Sequence, residues 1–429
     1  MIILFIHIVK PGDSLYSIAK RYGASVQEII DDNNITDTQK LVPGQAIVIM
    51  LNNVTHTVAP GESLYMIAKN YGTTVPAILD ENPNITDASK ISVGQVIEIP
   101  VTGAKLGTID VNGYATPDIS NTTLTKTMPY LTYYSSFSSR ANADGSLVPI
   151  PDEAQLQAAR LGFVAPLLVV TNTKPVGGFD SNVAHAILAN DQVQNTLIDN
   201  IINMMRNKNY YGLNIDFEYI FPEDKDNYNK FLKKVVDRLH PLGYIVMTAL
   251  APKTSGRQIG TLYEAHDYPT HGAIADFVIL MTYEWGYLKG PAQAVAPIDQ
   301  VEKVLKYAVS VIPSRKIFMG MPNYGYDWTL PFVRGSSANP VTNNEAVKLA
   351  ARVGAKIEYD EKVQAPFFTY YSRDGKKHIV WFDDARSIKA RLALIDKYNL
   401  AGASYWKINS FFPQNWLVLN SMYDVRKVL

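Results

Sequence analysis

The chain has 429 residues, 47% of them hydrophobic, which is more sequence than one domain needs and ample material for a large core. The 40 basic residues balance the 40 acidic ones, so there is no electrostatic footprint for nucleic acid or for an anionic membrane surface. The lack of cysteine excludes disulfides, thiolate chemistry and cysteine-ligated zinc, and none of the 7 histidines stand at His-x-x-x-His spacing, so neither metal nor cofactor is expected.

In chain order, the apolar start Met1–Ile6 lacks a basic segment and a small-residue cleavage site and runs directly into His7-Ile8-Val9. It reads as the first strand of a domain, not as a signal peptide, and the chain is expected to be made in the cytoplasm. No run approaches the ~20 apolar residues of a membrane span. A neutral polymer is the partner this composition suits best.

The first hundred residues repeat. His7-Ile-Val-Lys-Pro-Gly-Asp-Ser-Leu-Tyr16 returns 49 positions later as His56-Thr-Val-Ala-Pro-Gly-Glu-Ser-Leu-Tyr65, and Leu41-Val-Pro-Gly-Gln45 returns as Ile91-Ser-Val-Gly-Gln95. Each unit starts and ends in a short alternating strand with two helical stretches between, and Ser14 and Ser63 stand where the first helix needs an N-cap. These βααβ units, 1–50 and 51–100, are small enough that they are expected to serve something larger. The pattern resembles the LysM module, over residues 7–50 and 56–100. That resemblance implies binding of N-acetylglucosamine-containing glycans such as peptidoglycan or chitin. It places the contacts in two loops per unit: Gly12, Asp13, Ser14 with Asn34, Ile35, and Gly61, Glu62, Ser63 with Asn84, Ile85.

A short linker, 101–107, leads to a region where apolar strand-like runs alternate with helical ones up to residue 429. Strands are predicted near 108–114, 130–136, 166–171, 212–217, 245–251, 277–282, 316–322 and 402–407. Helices are predicted at 153–160, 191–207, 224–240, 297–312, 384–398 and 414–428. Eight strands interleaved with helices argue for an α/β fold, a (β/α)8 TIM barrel over 108–429. Between strands seven and eight, 336–382 reads as a small α+β insertion with a helix at 343–353.

The fourth strand carries the chemistry. In Tyr210-Tyr-Gly-Leu-Asn-Ile-Asp-Phe-Glu-Tyr219, alternation puts Asn214, Asp216 and Glu218 on one face and Leu213, Ile215 and Phe217 on the other. A row of amide, carboxylate and carboxylate has no stability reason to exist unless it lines a site. Glu218 falls at the C-terminal end of the strand, where barrel enzymes place their sites, roughly 6–7 Å from Asp216. Two carboxylates so close in a shielded cleft cannot both ionise freely, so the outer one is expected to hold its proton as a general acid.

The segment is similar to the Asp-x-x-Asp-x-Asp-x-Glu signature of glycoside hydrolase family 18. The resemblance implies retaining, substrate-assisted cleavage of β-1,4 links next to N-acetylglucosamine, with the substrate's 2-acetamido group as nucleophile. It implies Glu218 as the acid, Asp216 as the acetamide-orienting partner, and Tyr283, in Met281-Thr-Tyr-Glu284, as the third catalytic residue. Trp406, in Ala-Ser-Tyr-Trp, matches the tryptophan that floors the sugar subsite, and Asn214, Glu284, Trp285 and Tyr324 are implied around the substrate. Tyr211 and Asn214 depart from the first two aspartates of the signature, and Glu284 replaces an aspartate on strand six. The segments Asn-Ile-Asp-Phe-Glu and Thr-Tyr-Glu-Trp resemble the two-LysM branch that acts on spore cortex during germination, which implies the spore envelope as the place of action. A non-catalytic, lectin-like wall-binding protein and a chitinase stand as alternatives. Replacing Asn214→Asp restores a signature carboxylate beside Asp216 and is expected to shift the pH–rate profile; an unchanged profile would mark the position as structural only.

Overall fold

The computed structural model describes residues 3–51, 54–71, 73–100 and 105–429. Of the N-terminal strand, residues 1 and 2 lie outside the described residues, as do 101–104 of the linker. In module 1 the strands Ile3–Ile8 and Ala46–Leu51 pair antiparallel around the helices Leu15–Tyr22 and Val26–Asp32. In module 2 the strands Val54–Thr57 and Val96–Ile99 flank the helices Leu64–Tyr71 and Val75–Glu81. Ser14 caps its helix in a reciprocal box, Oγ accepting from the Ser17 N–H at 3.1 Å and Ser17 Oγ from the Ser14 N–H at 2.9 Å. Ser63 accepts from the Met66 N–H at 3.3 Å.

Eight parallel strands then close a barrel: β1 (Gly107–Ala115), β2 (Tyr133–Ala141), β3 (Ala165–Thr171), β4 (Gly212–Asp216), β5 (Ile245–Leu250), β6 (Phe277–Leu280), β7 (Ile317–Pro322) and β8 (Gly402–Trp406). Each pairs with the next, and β8 returns to β1 with Gly402 opposite Asp110, so no edge is left open. Leu167, Val169, Met247, Ala249, Ile279 and Phe318 fill the inside. Alternate residues such as Leu213, Ile215 and Phe217 face the surrounding helices in the larger core.

Three differences from the sequence reading have local causes. Helices Asn121–Thr127, Ser181–Leu188 and Tyr268–Ile274 join the predicted ones, each of only two turns and too short to show a clear apolar period. The last helix ends at Met422 instead of 428. Tyr423–Val425 adds a parallel strand beside β1, with the buried Tyr423 hydroxyl donating to the Leu392 carbonyl at 2.9 Å. The insertion is a five-stranded sheet with one helix, Asn343–Val353, and it begins at Gly325, ahead of the predicted 336. Only Asn323 and Tyr324 separate β7 from its first strand, Gly325–Leu330, so no turn signal marks the boundary.

Module 1 is packed onto the barrel. Val48 is buried in the barrel's outer core, and Val42 joins Phe368 and Val380 of the insertion. The Gln414 carboxamide donates to Asn33 Oδ1 and to the Ala46 carbonyl, both at 2.9 Å. Gly44 passes so close to Ile357 that a Cβ would lie 1.8 Å from its carbonyl oxygen, and only glycine fits there. Replacing Gln414→Ala leaves buried acceptors on module 1 without this donor, and is expected to lower stability by about 1–3 kcal/mol in chemical denaturation. No change would mean that the docking contacts are incidental.

Candidate active site

Strand β4 ends at Asp216, and two side chains carry its direction two residues further. The Asn172 carboxamide, just after β3, takes the place of a neighbouring peptide: Oδ1 accepts from the Glu218 N–H at 2.9 Å and Nδ2 donates to the Glu218 carbonyl at 2.9 Å. On the opposite side His266 Nδ1 accepts from the Ala251 N–H at 2.7 Å, which leaves the proton on Nε2 to donate to the Phe217 carbonyl at 2.9 Å. Burial pushes His266 down to about 4, so this tautomer holds across the neutral range. Tyr219 then adopts a left-handed φ of 53°, and the chain leaves the barrel.

Within this frame Asn214 and Asp216 are buried and Glu218 is half-buried. Burial raises both carboxyl groups, and Glu218 is held well above the ordinary glutamate range because the charges of Asp216 and then Glu284 add to burial. One oxygen of Asp216, Oδ1, has no hydrogen-bond partner among the described residues. Asn214 Nδ2 donates to the Tyr114 hydroxyl at 2.6 Å. Tyr283 stands just beyond β6, its hydroxyl raised by burial and then by Tyr114, Asp216, Glu218 and Glu284. A Cβ on Gly320 of β7 would meet the Tyr283 ring at 2.8 Å, so this glycine makes the room that the tyrosine occupies.

Glu284 adopts a left-handed φ of 66° and takes hydrogen bonds from the hydroxyls of Tyr324 and, at 2.9 Å, Tyr326. Tyr326 lies on the first strand of the insertion, so the insertion is tied directly to the rim of the site. Tyr283, Glu284 and Trp285, with Tyr263, line a cleft of about 340 Å³. Trp406 and Tyr324 line a second, of about 350 Å³. Trp406 stands edge-on to Phe137 and Tyr114, at ring-centre distances of 4.6 and 5.7 Å, which fixes its plane while part of it stays exposed. Tyr211, at the other end of β4, packs against Tyr133 away from the carboxylates.

Asn172, His266, Tyr114 and Tyr326 went unnoticed in the sequence. Each lies far along the chain from residues 210–219, His266 in the loop ahead of the helix Tyr268–Ile274 and the other three near strand ends, so no local pattern tied them to β4.

In the modules, Gly12, Ser14, Asn34, Gly61, Ser63 and Asn84 are exposed. The other members of the two loops have contacts within their own modules. Asp13 accepts from the Lys10 N–H and lies 3.0 Å from His7 Nε2, and Glu62 repeats this with Ala59 and His56, so both carboxylates hold the turn itself. Ile85 is buried in the module core and Ile35 packs against it, so these two support the loops from below.

Comparison with known proteins agrees with this architecture. Residues 175–410 match the glycosyl hydrolases family 18, and 7–49 and 56–100 each match the LysM domain. The chain belongs to glycoside hydrolase family 18. This family 18 chain is 42% identical to the cortical fragment-lytic enzyme of Bacillus subtilis (strain 168) over 429 residues, covering 98% of this chain and 99% of that one. It superposes on the spore cortex-lytic enzyme SleL of Bacillus megaterium QM B1551 with a TM-score of 0.90 at 40% identity, over 99% of each chain. SleL of Bacillus cereus gives 0.86 at 39%, again over 99% of each. The protein is a glycoside hydrolase with two LysM modules ahead of a family 18 barrel. Among the described residues no helix is long and apolar enough to cross a membrane, and no three His, Cys, Asp or Glu side chains gather as a metal site would require.

The Glu284 charge is one of the causes that raise Glu218. Removing it in Glu284→Gln lets Glu218 lose its proton at lower pH, and a general acid works only while protonated. The alkaline limb of kcat/KM is therefore expected to move to lower pH; a limb that stays in place would show that the two carboxyl groups are not coupled.

Proposed function

We propose that the protein hydrolyses β-1,4 bonds next to N-acetylglucosamine in peptidoglycan, with spore cortex as the substrate and the spore envelope as the place of action. The observation that carries this reading is the raised, half-buried Glu218 beside buried Asp216 and Tyr283 at the C-terminal mouth of a family 18 barrel. The cortex assignment follows the relatives, which are named for lysis of spore cortex or cortical fragments and match the chain from end to end.

The mechanism follows from the chemistry of these groups. Glu218 gives its proton to the glycosidic oxygen as the bond from that oxygen to the anomeric carbon breaks. The carbonyl oxygen of the 2-acetamido group bonds to the anomeric carbon from the opposite face, forming a cyclic oxazolinium ion. Asp216, through its unpartnered Oδ1, accepts from the acetamido N–H and balances the positive charge, while the Tyr283 hydroxyl donates to the acetamido oxygen. Glu218, now ionised, takes a proton from water as that water attacks the anomeric carbon and the bond from that carbon to the acetamido oxygen breaks, which restores the 2-acetamido group. Two inversions give net retention. Trp406 supplies an aromatic face for the apolar side of the pyranose, with Asn214, Glu284, Trp285 and Tyr324 around it. The LysM modules hold the enzyme on an insoluble glycan and raise its effective concentration there.

The test is Glu218→Gln, expected to abolish release of reducing ends from cortical peptidoglycan while binding to it persists. Retained turnover would overturn the role of Glu218. Digesting cortical peptidoglycan and chitin side by side, with mass spectrometry of the products, reads out the substrate, and faster cleavage of chitin would overturn the cortex assignment.

A further inference from the structure

The two LysM modules are near copies, yet the protein surrounds them differently. Val48 of module 1 is fully buried against the barrel, and its counterpart Glu98 in module 2 is exposed. Ala46 is buried while its counterpart Val96 is 57% exposed. Gly44 is pressed against Ile357, whereas nothing lies within 4 Å of a Cβ on its counterpart Gly94. An apolar residue where the fold packs and a carboxylate where it does not argue that the docking of module 1 is built into the sequence.

This docking puts the second glycan loop of module 1 opposite the insertion helix Asn343–Val353. The loop 34–37 and the helix face carrying Val347, Lys348 and Ala351 border a shallow cleft, open to solvent, with about 50 Å³ of cavity between its walls. The same helix borders the cleft that contains Trp406 and Tyr324, through Thr342 and Glu345 at its start. The chain after β8 does likewise, with Asn409 and Ser410 lining the Trp406 cleft and Phe412 and Gln414 lining the module 1 cleft. What divides the two is the ridge of Glu345 and Lys348, three residues apart and so within one helical turn.

We infer that the two clefts form one track, in which a single N-acetylglucosamine-containing strand passes from Trp406 over the Glu345–Lys348 ridge and is held at its far end by the module 1 loop. Module 1 is then a distal part of the substrate cleft, and module 2 alone is a separate anchor. The far cleft offers a glycan the carboxamides of Asn34 and Asn344 as hydrogen-bonding groups, beside the charged side chains of Asp37, Lys40 and Lys348. This inference rests on the reading of the barrel site as a peptidoglycan hydrolase.

The test fills the track in the full chain. Thr36 is exposed on the module 1 loop, and Thr86 is its exposed counterpart in module 2. Soluble cortical strands are fractionated into long chains and tetrasaccharides, and kcat/KM is measured on each for wild type, Thr36→Trp and Thr86→Trp. The long-to-short ratio is expected to fall about tenfold in Thr36→Trp, the loss of roughly one sugar's worth of contact, and to stay at the wild-type value in Thr86→Trp. Equal ratios in all three proteins, or equal losses in both variants, would overturn the track and leave the hydrolase reading standing. If Thr36→Trp does not fold, Lys348→Trp obstructs the opposite wall and is held to the same outcomes. A wild-type chain that cleaves neither fraction overturns the peptidoglycan reading, and the track with it.

Discussion

Two carboxyl groups have to be kept close together in a shielded place, and much of the barrel around β4 is arranged to meet that requirement. Asp216 and Glu218 are two residues apart on one face of a strand, which fixes their spacing, and burial raises both. Left alone, the end of a strand frays. Here Asn172 imitates a neighbouring peptide on one side, and neutral His266 holds the Phe217 carbonyl on the other. A charged imidazole could not accept from the Ala251 N–H, so the low pKa of His266 serves geometry as well as charge.

The insertion extends the same logic. Its first strand contributes Tyr326 to Glu284, and the Glu284 charge acts on Glu218. A segment that looks like an addition between β7 and β8 is thus linked to Glu218 through one tyrosine and Glu284. It also supplies the helix against which module 1 docks, so the N-terminal repeat, the insertion and the end of β8 meet in one place. The glycine at Gly44 and the apolar Val48 make that meeting possible; Gly94 and Glu98 show the same module without it.

Much of this architecture was legible before any coordinates. Strand alternation in residues 210–219, the 49-residue repeat and the spacing of apolar runs are local, short-range signals, and they led to the modules, the barrel and the face of β4 that carries the carboxylates. Boundaries without a local signal were misjudged. The passage from β7 into the insertion has no turn, and Tyr423–Val425 continues an apolar helical pattern until pairing with β1 draws it into a strand. The contacts of Asp13 and Glu62 with a histidine six residues earlier were not legible in the sequence, because the turn that brings each pair together is a feature of the folded module.

The sequence by itself determined which side chains share a face, how far apart they stand along a strand, and that the chain belongs with two glycan-binding modules and a hydrolase barrel. The first two follow from periodicities of two and 3.6 residues, which need no knowledge of the fold beyond the element; the third came from the resemblance of the repeat and of residues 210–219 to known families. Tertiary structure alone decided that Asn172, His266 and Tyr114 support β4, that Tyr326 reaches Glu284, and that one module is docked while its copy is not. Those contacts join residues tens to hundreds of positions apart, and only closure of the barrel brings them within hydrogen-bonding distance.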